Sequence, residues 1–128
     1  MNREKILVTF PLPMEGLQEL EEQFDVIRYK KGSMPKTDLL NSIRDCSGII
    51  ATAIKIDEEV MDAAPKLRII SVYGAGYDNI DIKAATERGI LVTNIPDVVT
   101  DSTAELTMGL ILDVMRRISE TDRMLRRG

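Results

Sequence analysis

Histidine is absent from all 128 residues, and cysteine occurs once, at Cys46. Without an imidazole the chain lacks the usual side chain for proton transfer near neutral pH and the commonest zinc ligand, which argues against a zinc site or a histidine-based acid/base within it. A lone cysteine forbids an internal disulfide and fits a reducing compartment. With no histidine to act as its base, Cys46 reads as a half-buried packing thiol rather than a nucleophile. No stretch reaches the ~18 consecutive apolar residues of a membrane span. The apolar run behind the N-terminal charges, ILVTF, is too short for a secretory signal, so a cytoplasmic protein with no membrane partner is expected. Seventeen Lys and Arg against 21 Asp and Glu give a formal charge of −4, which offers nothing to nucleic acid. The basic tail from Arg116 is interrupted by Glu120 and Asp122 and reads as a solvated helix face.

What is present is an alternation of short β-branched runs with segments of helical period. The strands are read as KILVTF (Lys5–Phe10), DVIRYK (Asp25–Lys30), GIIAT (Gly48–Thr52), LRIISVY (Leu67–Tyr73) and ILVTN (Ile90–Asn94). Between them, Leu17, Leu20 and Phe24 make one stripe of a helix within MEGLQELEEQF. Thr37 or Asp38 is placed to cap a second helix carrying Leu39, Leu40 and Ile43. A third runs from Asp57 to Ala64 and stops at Pro65; a fourth is capped by Asp81 and ended by Gly89 in the left-handed conformation. Strand and helix alternating five times through short connections predict an α/β fold, a parallel sheet with helices on both faces. Right-handed crossovers then give the flavodoxin-like order 2-1-3-4-5.

From Ser102 a helix is predicted to run unbroken to about Arg127, with Ser102 and Glu105 as a capping box. Its first half carries Leu106, Met108, Leu110, Ile111, Leu112, Val114 and Met115, apolar nearly all round. A helix lying on one sheet face needs only a stripe, so this one is expected to bury two sides between this domain and a second domain or subunit. The division expected is 1–100 as one domain and 101–128 as the long helix leading out of it.

The segment that carries chemistry is SVYGAGYDNID, Ser71 to Asp81. A dinucleotide fingerprint needs G-x-G-x-x-G at the first strand-to-helix turn of its unit, with an acidic residue ending the next strand. Here the third glycine is Asn79, the loop follows the fourth strand, and the next strand ends in Thr93-Asn94. Dinucleotide binding by this loop is excluded. What Gly74-Ala75-Gly76 offers is a run of backbone N–H groups at a strand's carboxyl end, where a small carboxylate can approach for want of side chains. A tight turn requiring positive φ, with no ligand, explains the same glycines. Asp78, Asn79 and Asp81 read as turn and N-cap residues rather than a metal cluster.

The run SVYGAGYDNIDIKAATERGILVTNIPDVVTDSTAELTMGLIL, Ser71 to Leu112, resembles the substrate-domain segment of D-isomer-specific 2-hydroxyacid dehydrogenases. Within that family it is most similar to the glyoxylate/hydroxypyruvate reductase and phosphoglycerate dehydrogenase branches. The likeness is dense from Cys46 onward. It implies that Ala75 and Gly76 hold the carboxylate of a small 2-oxo or 2-hydroxy acid through their backbone amides, with Gly74 permitting the bend. It implies that Val99 and Thr103 approach a bound NAD or NADP, that the loop Thr52 to Lys55 faces the cleft, and that the full-length protein is a homodimer. The family's cofactor domain also supplies the glycine fingerprint, an arginine, and a histidine with its glutamate, none of which can be carried onto this sequence. The chain on its own is therefore expected to be inactive, a substrate-binding fragment with no catalytic residue of its own. The alternative is a stand-alone module for small carboxylates. A receiver-type signalling domain shares the fold, but FPLP and ATAIK stand where its acidic residues are needed.

Overall fold

The computed structural model describes residues 3–13 and 16–128. The chain divides into two compact units, one ending at Pro96 and one spanning Asp97–Gly128. The first is built on five parallel strands in the order β2-β1-β3-β4-β5. These are β1 (Lys5–Val8), β2 (Asp25–Arg28), β3 (Cys46–Ala51), β4 (Ile69–Val72) and β5 (Leu91–Thr93). Alternating with them are the helices α1 (Gln18–Gln23), α2 (Lys36–Ser42), α3 (Glu58–Asp62) and α4 (Ile82–Glu87). The predicted architecture and strand order are those observed; β3 begins two residues earlier than its apolar run and ends one residue sooner, and the other four strands are shorter than theirs. The predicted start of the first helix, Met14 and Glu15, lies outside the described residues.

The central strand explains why the sheet is doubly covered. Cys46, Ser47, Gly48, Ile49 and Ala51 of β3 are all buried, which requires helices on both faces. Leu7, Leu39, Ile43, Ile49, Ile56, Val60 and Ile70 are fully enclosed in one core cluster. Burying each such side chain contributes roughly 1.5–3 kcal/mol. Gly48 sits where strands crowd: a Cβ there would meet Ile6 Cδ1 at 2.8 Å and Ile69 Cγ2 at 3.1 Å. Cys46 is fully enclosed rather than half-buried, because β3 is the middle strand. Its thiol donates to Ser42 O at 3.2 Å, and burial raises its pKa above the ordinary thiol value.

Local signals placed some helix ends and missed others. Asp57 accepts from Val60 N at 3.3 Å and Asp81 from Ala84 N at 2.9 Å, so both are N-caps. Gly89 ends α4 with φ of +67°. The cap expected at Thr37 or Asp38 is instead Pro35, whose carbonyl accepts from Leu39 N at 3.0 Å. Proline's fixed φ suits this extended position just ahead of the helix, and that decides the start.

The second unit corrects the long unbroken helix. It contains α5 (Thr100–Arg116) and α6 (Ile118–Arg127), separated at Arg117, which adopts the left-handed conformation with φ of 55° and ψ of 38°. The break is compensated by Asp113, which accepts from Ser119 N at 2.6 Å and Ser119 Oγ at 2.7 Å and so caps α6 from the preceding helix. The capping box at Ser102 and Glu105 does not form. α5 starts two residues earlier, and Ser102 Oγ donates back to Val99 O at 3.2 Å. Thr100, Asp101, Ser102 and Thr103 stand in a row, so local preference for the cap position does not single one out. Leu106, Met108, Leu110, Ile111, Leu112, Val114 and Met115 are exposed. Among the described residues, no helix is long and apolar enough to cross a membrane.

Candidate functional site

Parallel strands put their carboxyl ends, and the loops that leave them, along one edge of the sheet, the usual place for ligands in open α/β folds. At this edge the loops after β3 and β4 border an open cavity of about 360 Å³ lined by Thr52, Ala53, Val72, Tyr73, Gly74, Gly76, Asp78 and Asn79. The Tyr73 ring on its rim packs against Phe10, with ring centroids 5.5 Å apart. Gly74 and Gly76 thus both lie on the cavity wall.

The backbone of the glycine loop is held by its carbonyls. Gly74 O accepts from Ile95 N at 2.9 Å and Ala75 O accepts from Asn94 Nδ2 at 2.7 Å, both from the chain leaving β5. Further on, Tyr77 O accepts from Ile80 N at 3.0 Å. Gly74 N is occupied by Val72 O at 3.0 Å, whereas the N–H groups of Ala75 and Gly76 have no acceptor among the described residues. Two adjacent donors are therefore left free in a loop whose Gly74, Ala75 and Tyr77 carbonyls are satisfied.

Positive φ is not what the positions of Gly74 and Gly76 require of glycine. The glycines with positive φ are Gly32, Gly89 and Gly128, so a turn requiring positive φ does not account for Gly74 and Gly76. Nor does close packing: a Cβ on Gly74 would meet nothing within 4 Å, and one on Gly76 only Asp78 Oδ2 at 3.6 Å. What glycine preserves at both positions is open space beside the loop that carries the free amides. Asp78 adds a negative charge at the rim.

Asn79 has a larger part than a turn residue. Its side-chain amide donates to Thr52 O at 2.7 Å and Ile54 O at 2.6 Å, while its main-chain carbonyl accepts from Ile56 N at 2.9 Å. Ile56 and Ile80 form an isolated parallel bridge beside it. The loop after β3 is in this way sewn to the glycine loop. Neither Asn79 nor Asn94 was singled out from the sequence as a site residue. The available signal was their place, polar side chains in or beside the loops at the carboxyl ends of strands.

A polar cavity of about 480 Å³ lies at the opposite, amino-terminal edge of the sheet, lined by Arg3, Glu4, Lys5, Asp45, Ser47, Lys66 and Arg68. Its charges are largely spent on one another: Arg68 pairs with Glu4, and Lys66 with Asp45 at 2.8 Å. In the second unit Val99 and Thr103 lie together, lining a groove on α5 with Thr107, one turn apart each.

A dinucleotide has no phosphate cradle here. The N-terminus of α4, which follows the glycine loop, is already capped by the Asp81 carboxylate, and the Asn79 side chain is committed to two carbonyls. A phosphate would meet like charge at the one and a filled position at the other.

The family model described as D-isomer specific 2-hydroxyacid dehydrogenase, catalytic domain, matches residues 6–127. A glyoxylate reductase of Thermofilum pendens is 48% identical over 131 residues, covering 100% of this chain and 39% of the relative. Among solved structures, an NADPH-dependent glyoxylate/hydroxypyruvate reductase from Sinorhizobium meliloti, in complex with NADP and malonate, matches with a TM-score of 0.79 at 35% identity, over 99% of this chain and 39% of that one. A 3-phosphoglycerate dehydrogenase from Entamoeba histolytica with bound NAD+ matches with a TM-score of 0.73 at 35% identity, over 88% of this chain and 39% of that one. The chain spans about two fifths of the length of the curated relatives it matches. With nearly its whole length matched by the family model, the chain belongs to the D-isomer specific 2-hydroxyacid dehydrogenase family.

Proposed function

We propose that this chain is the substrate-binding part of an NAD(P)-dependent 2-hydroxyacid dehydrogenase of the glyoxylate reductase kind. The carboxylate of a small 2-oxo acid sits on the N–H groups of Ala75 and Gly76, with Gly74 leaving the approach open. The single observation that carries this is the pair of adjacent unpartnered amides in a loop whose flanking glycines leave open space around it. Two N–H donors match the two oxygens of a carboxylate, and hydrogen bonds to a charged acceptor are roughly twice as strong as neutral ones. Held there, the acid has its C2 carbonyl fixed in orientation, and orientation is a large part of any two-reactant rate.

Among the described residues the loop after β4 offers no phosphate cradle, so the nicotinamide cofactor is held chiefly by residues outside this chain, with Val99 and Thr103 meeting it from the groove on α5. No histidine is present to move the proton. The 128-residue chain by itself is accordingly inactive in glyoxylate reduction.

The test is a titration of the uniformly 15N-labelled chain with sodium glyoxylate, followed residue by residue. Ala75 and Gly76 amide protons are expected to move downfield together, with little response at the amino-terminal edge of the sheet. Shifts centred on Arg3, Lys66 and Arg68 instead would sink the reading. So would tight NADH binding by this chain alone.

A further inference from the structure

Asn94 has a task in this site that its place at the end of β5 does not require. In a trans peptide the C=O and the N–H point in opposite directions, so whatever fixes one fixes the other. There is no cis peptide among the described residues. The carbonyl of Gly74 shares its peptide plane with the N–H of Ala75, and the carbonyl of Ala75 shares its plane with the N–H of Gly76. Ile95 N holds the first carbonyl at 2.9 Å and Asn94 Nδ2 holds the second at 2.7 Å. Both planes are therefore pinned from the side of β5, and both free N–H groups are turned the other way. A carbonyl that accepts a hydrogen bond also polarises its own peptide, which makes the N–H at the far end a better donor.

We propose that Asn94 is a positioning residue for the carboxylate cradle: by donating to Ala75 O it aims and strengthens the Gly76 N–H as an anion donor. This rests on the reading that Ala75 and Gly76 hold a carboxylate. The reason for asparagine is specific. In Asn94→Asp an isosteric carboxylate would face Ala75 O with an acceptor, repelling the carbonyl it must hold, and in Asn94→Ala that peptide would be free to rotate. The main-chain contact from Ile95 cannot substitute, because it governs the neighbouring plane.

The experiment compares the 15N-labelled chain with its Asn94→Asp and Asn94→Ala variants, each titrated with sodium glyoxylate and, as a probe with no 2-oxo group, sodium acetate. In the unaltered chain the Asn94 side-chain amide protons are expected to shift in step with the Gly76 N–H, since the two are joined through one peptide. Both variants are expected to bind glyoxylate and acetate on the order of tenfold more weakly. Their glyoxylate response at Gly76 should fall more than that at Ala75, while the sheet amides keep their positions. Equal affinity in all three chains overturns the proposal and leaves the cradle standing. An Asn94 side chain that stays silent while Gly76 moves overturns it without any variant. If glyoxylate moves neither Ala75 nor Gly76 in the unaltered chain, the cradle reading falls and this proposal falls with it.

Discussion

The side-chain amide of Asn79 lies 2.6 Å from Ile54 O and donates to it, with a second donation to Thr52 O at 2.7 Å. One side chain thus closes two carbonyls of the loop after β3, and it stands where a dinucleotide fingerprint would have its third glycine. The two roles make opposite predictions for Asn79→Gly. Restoring the letters of the fingerprint should give no NADH binding, because the loop still follows β4 and Asp81 still caps the next helix. It should instead destabilise the fold, as should Asn79→Ala, by about 1–3 kcal/mol for carbonyls left unsatisfied. Urea unfolding with an NADH fluorescence titration separates these; a gain of NADH affinity would contradict the assignment.

Gly76 is expected to separate folding from binding. Its φ is not in the left-handed region and its missing Cβ would meet only Asp78 Oδ2, so Gly76→Ala should fold normally and gain about 0.4–1 kcal/mol from a stiffer unfolded chain. Gly76→Val, with two methyls reaching into the cavity, should also fold but should lose glyoxylate binding. Thermal melts beside a glyoxylate titration check both halves. A valine variant that binds normally would mean that the ligand does not occupy this space.

The parts legible in the sequence were those that short-range chemistry decides. Asp81 and Gly89 marked their helix ends because an N-cap and a left-handed C-terminal residue are local events, and five alternations of strand and helix sufficed for the sheet order. The glycine loop's place at the carboxyl end of β4 was legible as well, but its letters fitted a ligandless turn equally, and the carboxylate was assigned to it by the family resemblance alone. The supports of the cradle were not legible. Asn94 meets Ala75 across 19 residues and Asn79 meets Thr52 across 27, so each depends on a strand pairing that no local window contains. The break at Arg117 was hidden for a related reason. Arginine rarely adopts the left-handed conformation, and its compensation comes from Asp113, six residues from Ser119.

That break is testable in itself. Arg117→Gly should slightly stabilise the second unit, since glycine adopts φ of 55° without a Cβ penalty. Asp113→Ala should fray α6, read as a loss of helical ellipticity and faster amide exchange at Ser119. Hydrogen bonds from the Ser119 hydroxyl and backbone hold the Asp113 carboxyl below its usual range. The cap is therefore complete at neutral pH and is lost as pH falls through that lowered value. A variant with unchanged exchange at Ser119 would show that the cap is idle.

Cys46 carries the opposite dependence. Its pKa is raised by burial, so the folded state keeps the thiol protonated where the unfolded chain has begun to ionise. Its contribution to stability is full below the ordinary thiol pKa and declines as pH rises above it. Urea midpoints from neutral to alkaline pH should fall more steeply for the unaltered chain than for Cys46→Ala. Equal slopes would place the thiol in contact with water.

Asp78 sets the last expectation, because its charge opposes the carboxylate proposed for the amides. Its carboxylate lies on the wall of the cavity beside Gly76, and among the described residues no cation shares the lining with it. On the proposed cradle, an anion arriving at Gly76 gains two directed hydrogen bonds and meets one like charge across a largely solvated gap. In high dielectric that repulsion is modest, so Asp78→Asn should tighten glyoxylate binding about two- to fivefold at low salt. The gain should shrink as ionic strength rises and screening shortens the reach of the charge. Titrations of both chains at low and high sodium chloride measure the difference directly. Weaker binding in Asp78→Asn would mean that the carboxylate supports the loop more than it repels the ligand.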